Sequence, residues 1–159
     1  MRTARFGSMV TMILVASLII FAAQSLASGH MEEHDAKGGL FVNLTTDDTW
    51  SAAKAILFAH QKALKNGYKP VAVWLNVRGI YLADKKRASH VHGLMKEKGE
   101  SIQDMLTAFI KDGGQVIACQ ACSKAAGLKK DDFIDGVTMG NEDLVLGILF
   151  DPKVKTLSW

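Results

Sequence analysis

The sequence predicts a single α/β domain built on a parallel β-sheet with helices on both faces. From Gly39 onward, short runs of apolar and β-branched residues alternate with segments of helical periodicity, which is the pattern of repeated βα units. The run Val71–Leu75 is apolar throughout, as expected for a central strand that is buried on both faces. The stretch from Ser28 to Trp159 is also long enough to bury one core of its own.

The first βα unit has clear start and stop residues. Leu40–Leu44 is predicted as a strand, and the polar segment Thr45–Thr49 supplies hydroxyl and carboxylate groups that cap a following helix. That helix is predicted over residues 50–66, with apolar side chains along one face, and Gly67 ends it. Val71–Leu75 then forms the second strand.

The middle of the chain gives weaker signals. Residues 78–100 combine a short apolar run with a charged segment broken by glycines, and they predict no defined element. A helix is predicted over residues 101–112 and ends at Gly113-Gly114. Residues 115–118 then form the third strand, which is followed by a short helix.

The end of the chain predicts one more strand and helix, followed by a final strand. Val137–Met139 forms a brief strand, and Asn141 caps the helix that follows it. Residues 154–159 form the last strand. Since ligands of open parallel sheets bind beyond the carboxyl ends of the strands, we expect the functional site at that edge.

The N-terminus has the pattern of a secretory signal peptide. Arg2 and Arg5 precede an apolar stretch, and Ser25-Leu26-Ala27 places small residues at the two positions that a signal peptidase reads. We therefore expect residues 1–27 to be cleaved after Ala27 and the protein to be exported, most simply to a periplasm, without a stable membrane anchor. A retained anchor is the alternative, but the apolar stretch is shorter than the ~20 residues that cross a bilayer.

The exported chain would begin with a flexible polar leader, residues 28–38, ahead of the domain at residues 39–159. In this leader His30, Met31 and His34 can hold a soft metal ion such as copper, because imidazole and thioether groups suit that metal. Short polar tails often contain such residues by chance, so no metal site is predicted from them.

Charge and motif content argue against several function classes. The chain has 19 Lys and Arg residues against 16 Asp and Glu residues, and loss of Arg2 and Arg5 with the signal peptide would leave a net charge of +1. A nearly neutral protein has no global electrostatic basis for binding nucleic acid. The sequence has no P-loop, dinucleotide-binding glycine motif, Ser-His-Asp order or c-type haem motif, and it predicts no cofactor.

Cys119 and Cys122 are the strongest candidates for catalytic residues. They form a C-x-x-C pair where the third strand ends and the next helix begins. Backbone N–H groups and the positive end of the helix dipole favour a thiolate there, so we expect a lowered pKa for the pair. Four further residues lie at or just beyond the ends of the first two strands and are predicted to bind substrate at the same sheet edge: Asn43, Thr45, Asn76 and Arg78.

Four segments occur in a recognisable order between Gly39 and Trp159. They are Thr45-Thr46-Asp47 after the first strand, Gly67–Val71 before the second, Val116–Cys119, and the stretch from Gly127 to Val137. In this order and spacing the chain resembles the DsrE/DsrF family of small sulfur-handling proteins, which includes TusD-like and YchN-like members.

The resemblance to the DsrE/DsrF family implies a fold and an activity. The fold would be a five-stranded parallel sheet in a three-layer, flavodoxin-like sandwich, and trimers or hexamers would be common assemblies. The activity would be sulfur relay through a persulfide on Cys119, with sulfur donors and acceptors as partners. Cys122, one helical turn away, can release that sulfur or close a disulfide.

The sequence leaves other uses of the cysteine pair open. It can form a structural disulfide, because exported thiols meet an oxidising compartment. It can also serve thioredoxin-like thiol–disulfide exchange, although the only prolines are Pro70 and Pro152 and neither flanks the pair. A zinc site would require His90 and His92 to fold over the cysteines.

A non-catalytic oligomeric binding module is the remaining alternative. Trp50, Trp74, Tyr81 and Met139 can line a pocket or a subunit contact, although residues of these types more often pack in a core. His60 lies on or beside the apolar face of the first helix, where a hydrogen-bonded packing role is expected rather than catalysis.

Overall fold

A computed structural model of the chain describes residues 37–91, 93 and 101–159. Several residues discussed above lie outside these ranges: residues 1–27 of the predicted signal peptide, and His30, Met31, His34 and His92. Within the described ranges, no helix is both long enough and apolar enough to cross a lipid bilayer.

Five strands form one parallel sheet. They are β1 Gly39–Leu44, β2 Val71–Leu75, β3 Gln115–Cys119, β4 Thr138–Gly140 and β5 Val154–Ser158. Their order across the sheet is β4-β3-β2-β1-β5, and each neighbouring pair is parallel. The chain therefore winds outward from β1 to β4 and then returns to the other side of β1, and the predicted parallel α/β fold is confirmed.

The helical segment after β1 is continuous but changes geometry along its length. It begins as α1 (Thr49–Leu57), continues as a π-helical stretch over Phe58–Ala63 and ends in a 3₁₀ turn at Leu64–Asn66. The Asp48 carboxylate caps its start by accepting a backbone N–H of the first turn at 2.8 Å. Gly67 ends it with a φ of +84°, a conformation that favours glycine.

The segment after β2, which the sequence left undefined, begins with a 3₁₀ helix over Val77–Ala83. Asn76 caps it, since its side-chain oxygen accepts the N–H of the next residue. Gly79 brings this helix close to the end of β1, where a Cβ atom would collide with the carbonyl oxygen of Leu44. The 3₁₀ helix is therefore held against the sheet edge at the carboxyl ends of β1 and β2.

Two further helices flank β3. α2 spans Ile102–Lys111, as predicted, and starts with a reciprocal capping box: the Asp104 N–H donates to the Ser101 hydroxyl at 3.1 Å, and the Ser101 N–H donates to the Asp104 carboxylate at 3.0 Å. α3 is short, spanning Gln120–Ala125, and it begins directly after β3.

The fourth strand lies one residue later than predicted, whereas the helix after it starts at the predicted residue. Val137 is not part of β4, because its N–H donates to the carbonyl of Ile134 in the preceding turn at 3.4 Å. The three residues of β4 then pair with the end of β3. α4 spans Glu142–Leu149 and starts at Asn141, whose side-chain oxygen accepts a first-turn N–H at 2.8 Å, as predicted.

The sheet buries a large core on one face and a smaller core on the other. On the first face, α1 and α2 cover the sheet, and Phe109 of α2 is fully buried there. On the second face, α4 covers the sheet, with Ile148 packed in the same cluster as Phe41 and Ile117. Helices therefore lie on both faces, as predicted.

Candidate functional site

The carboxyl ends of three adjacent strands bring predicted site residues to one edge of the sheet. Asn43 lies near the end of β1, Asn76 follows β2, and Cys119 ends β3. Because these strands are parallel neighbours, their ends meet at the same edge. Cys122 joins them from the first turn of α3. The sheet topology alone therefore assembles most of the predicted site.

The two cysteines are free thiols in direct contact. Their Sγ atoms lie 2.7 Å apart, with the Cys119 thiol placed to donate to Cys122. The backbone N–H of Cys122 in turn donates to Cys119 Sγ at 3.3 Å, so Cys119 caps α3. Both side chains are half-buried. The predicted contact between Cys119 and the start of the next helix is therefore present.

A chain of polar side chains continues from the cysteines along the sheet edge. The Cys122 thiol donates to Asn76 Oδ1 at 3.2 Å, and Asn76 Nδ2 donates to Asn43 Oδ1 at 3.3 Å. Asn43 Nδ2 then donates to Ser158 Oγ, at the end of β5, at 3.4 Å. Two of the four predicted substrate-binding residues thus contact each other, and one of them contacts a cysteine.

Val77 adds a backbone donor to the site in an unusual conformation. Its φ is +49°, in the left-handed region that β-branched residues rarely adopt. In this conformation its N–H lies 3.3 Å from Cys122 Sγ and 2.9 Å from Asn76 Oδ1. Val77 is not among the predicted site residues, because a valine gives no sequence signal for a left-handed turn.

The acidity of Cys119 differs from the prediction. Burial raises the pKa of the Cys119 thiol, and the neighbouring Cys122 side chain raises it further. The backbone N–H groups of Cys122 and Ala121 lower this pKa, but burial and the second thiol outweigh them. The predicted lowered pKa is therefore wrong for Cys119. The helix start acts as expected, but the sequence could not show how deeply the sulfur is buried.

The other two predicted substrate-binding residues make structural contacts. Thr45 Oγ1 donates to the carbonyl oxygen of Trp159 at 2.6 Å, which ties the end of β1 to the last residue. Arg78 binds Asp47 through two hydrogen bonds, Nε to Oδ1 at 2.9 Å and Nη2 to Oδ2 at 2.7 Å. Arg87 donates to the same carboxylate at 2.7 Å. A substrate-binding role for Thr45 and Arg78 stays a prediction.

Asp47 is the anion of a small charged cluster beside the site. Its hydrogen bonds with Arg78 hold the pKa of Asp47 below its ordinary value, and the charge of Arg87 adds to this effect. Both guanidinium groups also lie near the ring of Tyr81, at 5.9 Å for Arg78 and 4.5 Å for Arg87. We call these four residues the arginine cluster.

Comparison with known proteins identifies the family. The profile of the DsrE/DsrF-like family matches residues 39–147, more than half of the chain. The chain belongs to the DsrE/DsrF-like family.

Individual proteins similar to this DsrE/DsrF-like chain were also found. An uncharacterised protein of Methanopyrus kandleri is 34% identical to it over 76 residues, which cover 47% of this chain and 57% of that protein. The alignment thus spans just over half of the Methanopyrus protein. The crystal structure of the YchN protein from E. coli has a similar fold, with a TM-score of 0.58 at 20% identity, covering 76% of this chain and 99% of YchN.

A cavity of about 270 Å³ opens beside Cys119 in this DsrE/DsrF-like protein. Its lining includes apolar side chains of β2 and α4 and one carboxylate: Trp74, Cys119, Glu142, Val145 and Leu146. A small molecule in this cavity would therefore contact Cys119.

The structure also bears on the alternative uses of the cysteines. Across residues 37–91, 93 and 101–159, no group of three or more His, Cys, Asp or Glu side chains is placed to hold a metal ion. Pro70 and Pro152 precede β2 and β5, so they lie at the opposite edge of the parallel sheet from the cysteines. Neither proline therefore lies beside the cysteine pair.

The remaining candidate residues have separate roles. His60 Nε2 lies 2.6 Å from Asp112 Oδ2, and its ring meets Phe109 edge-on with the centroids 5.7 Å apart, so the expected hydrogen-bonded packing role is confirmed. Of the aromatic residues considered for an alternative pocket, Trp74 lines the cavity beside Cys119, whereas Tyr81 belongs to the arginine cluster.

Proposed function

We propose that this protein is an exported sulfur carrier or sulfurtransferase that holds sulfane sulfur as a persulfide on Cys119. Cys122 is the second thiol, which releases the sulfur or closes a disulfide. The partners are a donor and an acceptor of sulfane sulfur, either proteins or small compounds. The observation that carries this proposal is the contact between two free thiols at the carboxyl end of β3, with their Sγ atoms 2.7 Å apart.

The surroundings of Cys119 favour some donors over others. The cavity beside Cys119 combines the apolar side chains of Val145 and Leu146 with the carboxylate of Glu142. A negative charge at the cavity disfavours a dianion such as thiosulfate more than a singly charged persulfide or a short polysulfide. We therefore propose sulfane donors of low charge.

The loading step balances without an added oxidant or reductant. The Cys119 sulfur forms a bond to the outer sulfur of a donor persulfide, and the S–S bond of the donor breaks. The electron pair of the broken S–S bond stays with the donor, which leaves as a thiolate. The Cys119 proton passes to this leaving group or to Cys122 Sγ, 2.7 Å away. Because the pKa of Cys119 is raised, removal of this proton is part of activating the nucleophile.

Intact mass after treatment with polysulfide tests this proposal. We expect Cys122→Ser to gain and hold the mass of a sulfur atom, because it lacks the thiol that releases the sulfur, and Cys119→Ser to load at least about tenfold less because it lacks the nucleophile. The wild type should either carry the added sulfur or release it as hydrosulfide and lose two hydrogens as the disulfide. Absence of loading on Cys122→Ser, or equal loading on Cys119→Ser, would overturn the proposal.

Thiol–disulfide exchange is the second candidate function, and the 2.7 Å contact between the two sulfurs also favours it. Two thiols this close can close to a disulfide and return electrons to a substrate disulfide. An insulin-reduction assay separates the candidates. Rapid turnover by the wild type, together with poor loading by polysulfide, would favour exchange over sulfur carriage.

We further propose that the protein acts after export and as a homo-oligomer. The pattern of residues 1–27 supports export, and the mass of protein recovered from the periplasm should then correspond to a chain that begins at Ser28. The family resemblance supports an oligomer, as do exposed apolar side chains near the smaller core, including Leu146 and Phe150.

A further inference from the structure

Two groups of the turn after β2, the Asn76 side chain and the Val77 N–H, contact the sulfur of Cys122. Val77 holds a φ of +49° although it is β-branched and 56% exposed, so its own side-chain packing does not account for the conformation. The conformation places the Val77 N–H 3.3 Å from Cys122 Sγ. The same N–H lies 2.9 Å from Asn76 Oδ1, and that oxygen lies 3.2 Å from Cys122 Sγ. The three groups contact one another.

Hydrogen bonds to β1 fix both the side chain and the backbone of Asn76. Its Nδ2 donates to Asn43 Oδ1 at 3.3 Å, and its backbone N–H donates to the carbonyl of Leu44 at 2.9 Å. The amide therefore presents its oxygen to Cys122. This arrangement accommodates both protonation states of the sulfur, because the oxygen accepts a hydrogen bond from the thiol and the Val77 N–H donates one to the thiolate.

We propose that Asn76 and Val77 are positioning residues that hold Cys122 as the resolving nucleophile of this site. The inference rests on the proposed function, since it concerns the step after Cys119 has taken up sulfur. Among the residues that the structure describes, Cys119 is a titratable group in contact with Cys122, and Arg78, the residue after Val77, is paired with Asp47. Once Cys119 carries sulfur it has no thiol proton to donate, and the Val77 N–H remains as a donor to the Cys122 thiolate.

The resolving step can be written with its atoms and electrons balanced. The Cys122 thiolate attacks Cys119 Sγ, which lies 2.7 Å away in the resting pair, and a Cys119–Cys122 disulfide forms. The bond between Cys119 Sγ and the outer sulfur breaks, and the outer sulfur leaves with the electron pair as hydrosulfide. The Cys122 sulfur is thus oxidised and the sulfane sulfur is reduced. A dithiol reductant then restores the two thiols.

Asn76→Asp tests the positioning role with little change in shape. The new carboxylate can still accept the Val77 N–H, but it places a negative charge beside Cys122 Sγ and disfavours the thiolate. After polysulfide loading, we expect hydrosulfide release at pH 7 to be about tenfold slower than in the wild type, with the pH profile of release moved to higher pH by about one unit. Gln115→Glu, at the amino end of β3, adds the same charge at the opposite sheet edge and should leave release unchanged.

A second readout does not depend on sulfur loading. In the Cys119→Ser background, Cys122 is the remaining thiol, and its alkylation by iodoacetamide is followed against pH with and without Asn76→Asp. We expect the added carboxylate to move this profile to higher pH. Unchanged alkylation and release profiles in Asn76→Asp would overturn the inference, as would release from loaded Cys122→Ser at the wild-type rate. Failure of Cys122→Ser to load would instead overturn the proposed function.

Discussion

At the scale of single residues, the two sulfurs of the site have different environments. Cys119 is half-buried and caps α3, and burial raises the pKa of its thiol more than the backbone donors lower it. Cys122 contacts the polar turn formed by Asn76 and Val77. Two thiols one helical turn apart can therefore differ in role, because their reactivity follows burial and hydrogen bonding as well as the helix start.

The raised pKa of Cys119 leads to a prediction about its alkylation. In the wild-type protein, Cys119 should react with iodoacetamide mainly above pH 9.0, the ordinary value from which its pKa is raised. Cys122→Ser removes the neighbouring thiol that raises this pKa, so the alkylation rate of Cys119 at pH 8 should increase severalfold. Peptide mass mapping identifies the alkylated residue. Fast alkylation of wild-type Cys119 below pH 8 would contradict this expectation.

At the scale of elements, the residues around the site lie in a loop and in short helices, not in the long helices of the fold. The loop after β1 contains Asp47, and the 3₁₀ helix after β2 contains Arg78. Their ion pair, shared with Arg87, joins the loop after β1 to residues 31 and 40 positions further along the chain. The arginine cluster therefore holds the 3₁₀ helix, and with it Asn76 and Val77, against the end of β1.

The lowered pKa of Asp47 predicts how acid affects this junction. A carboxyl whose pKa is lower in the folded protein than in the unfolded chain stabilises the fold above the unfolded value, here near 3.8, and this contribution is lost as the pH falls through the folded pKa. We expect thermal stability to fall below about pH 4, and Asp47→Asn to reduce that dependence. Differential scanning calorimetry between pH 2 and pH 7 measures this pH dependence of thermal stability for the wild type and for Asp47→Asn.

Asp131→Asn is the matched control for this prediction, because it removes a carboxylate of an exposed residue in the 3₁₀ turn at Lys130–Asp132. It should leave the acid dependence close to that of the wild type. Equal acid profiles for Asp47→Asn and the wild type would show that the arginine cluster does not contribute to stability.

At the scale of the whole molecule, the two faces of the sheet are covered unequally. α1 and α2 bury the larger core, whereas α4 covers the smaller one and leaves Phe150, just beyond its end, 75% exposed. Leu146 on α4 is also exposed. Exposed apolar side chains of this kind are typical of a subunit contact.

The proposed homo-oligomer predicts the effect of a charge at this surface. Phe150→Glu should weaken association by at least about tenfold, because a buried carboxylate at an apolar contact is costly. Lys62→Glu, on the helical segment over the opposite face, reverses a charge away from that surface and should leave the assembly intact. Light scattering across a concentration series measures the association state of both variants and of the wild type. A monomeric wild type, or an unchanged Phe150→Glu assembly, would contradict the prediction.

Most of the fold could be predicted from the sequence because its signals are local. Hydrophobic runs located all five strands, and Asn141 marked the start of its helix. The largest gap was the 3₁₀ helix at Val77–Ala83, which is held in place by the close approach of Gly79 to the carbonyl of Leu44, a residue of a different strand. A contact between residues far apart in the chain leaves no pattern in the sequence around either residue.

The sequence by itself determined the order of the strands and helices and the identity of the paired thiols, since periodicity, caps and the C-x-x-C spacing are properties of neighbouring residues. Tertiary structure alone decided the burial of Cys119, the left-handed turn at Val77 and the pairing of Arg78 with Asp47. The physical reason is that solvation and backbone strain at one residue depend on atoms brought close from distant parts of the chain.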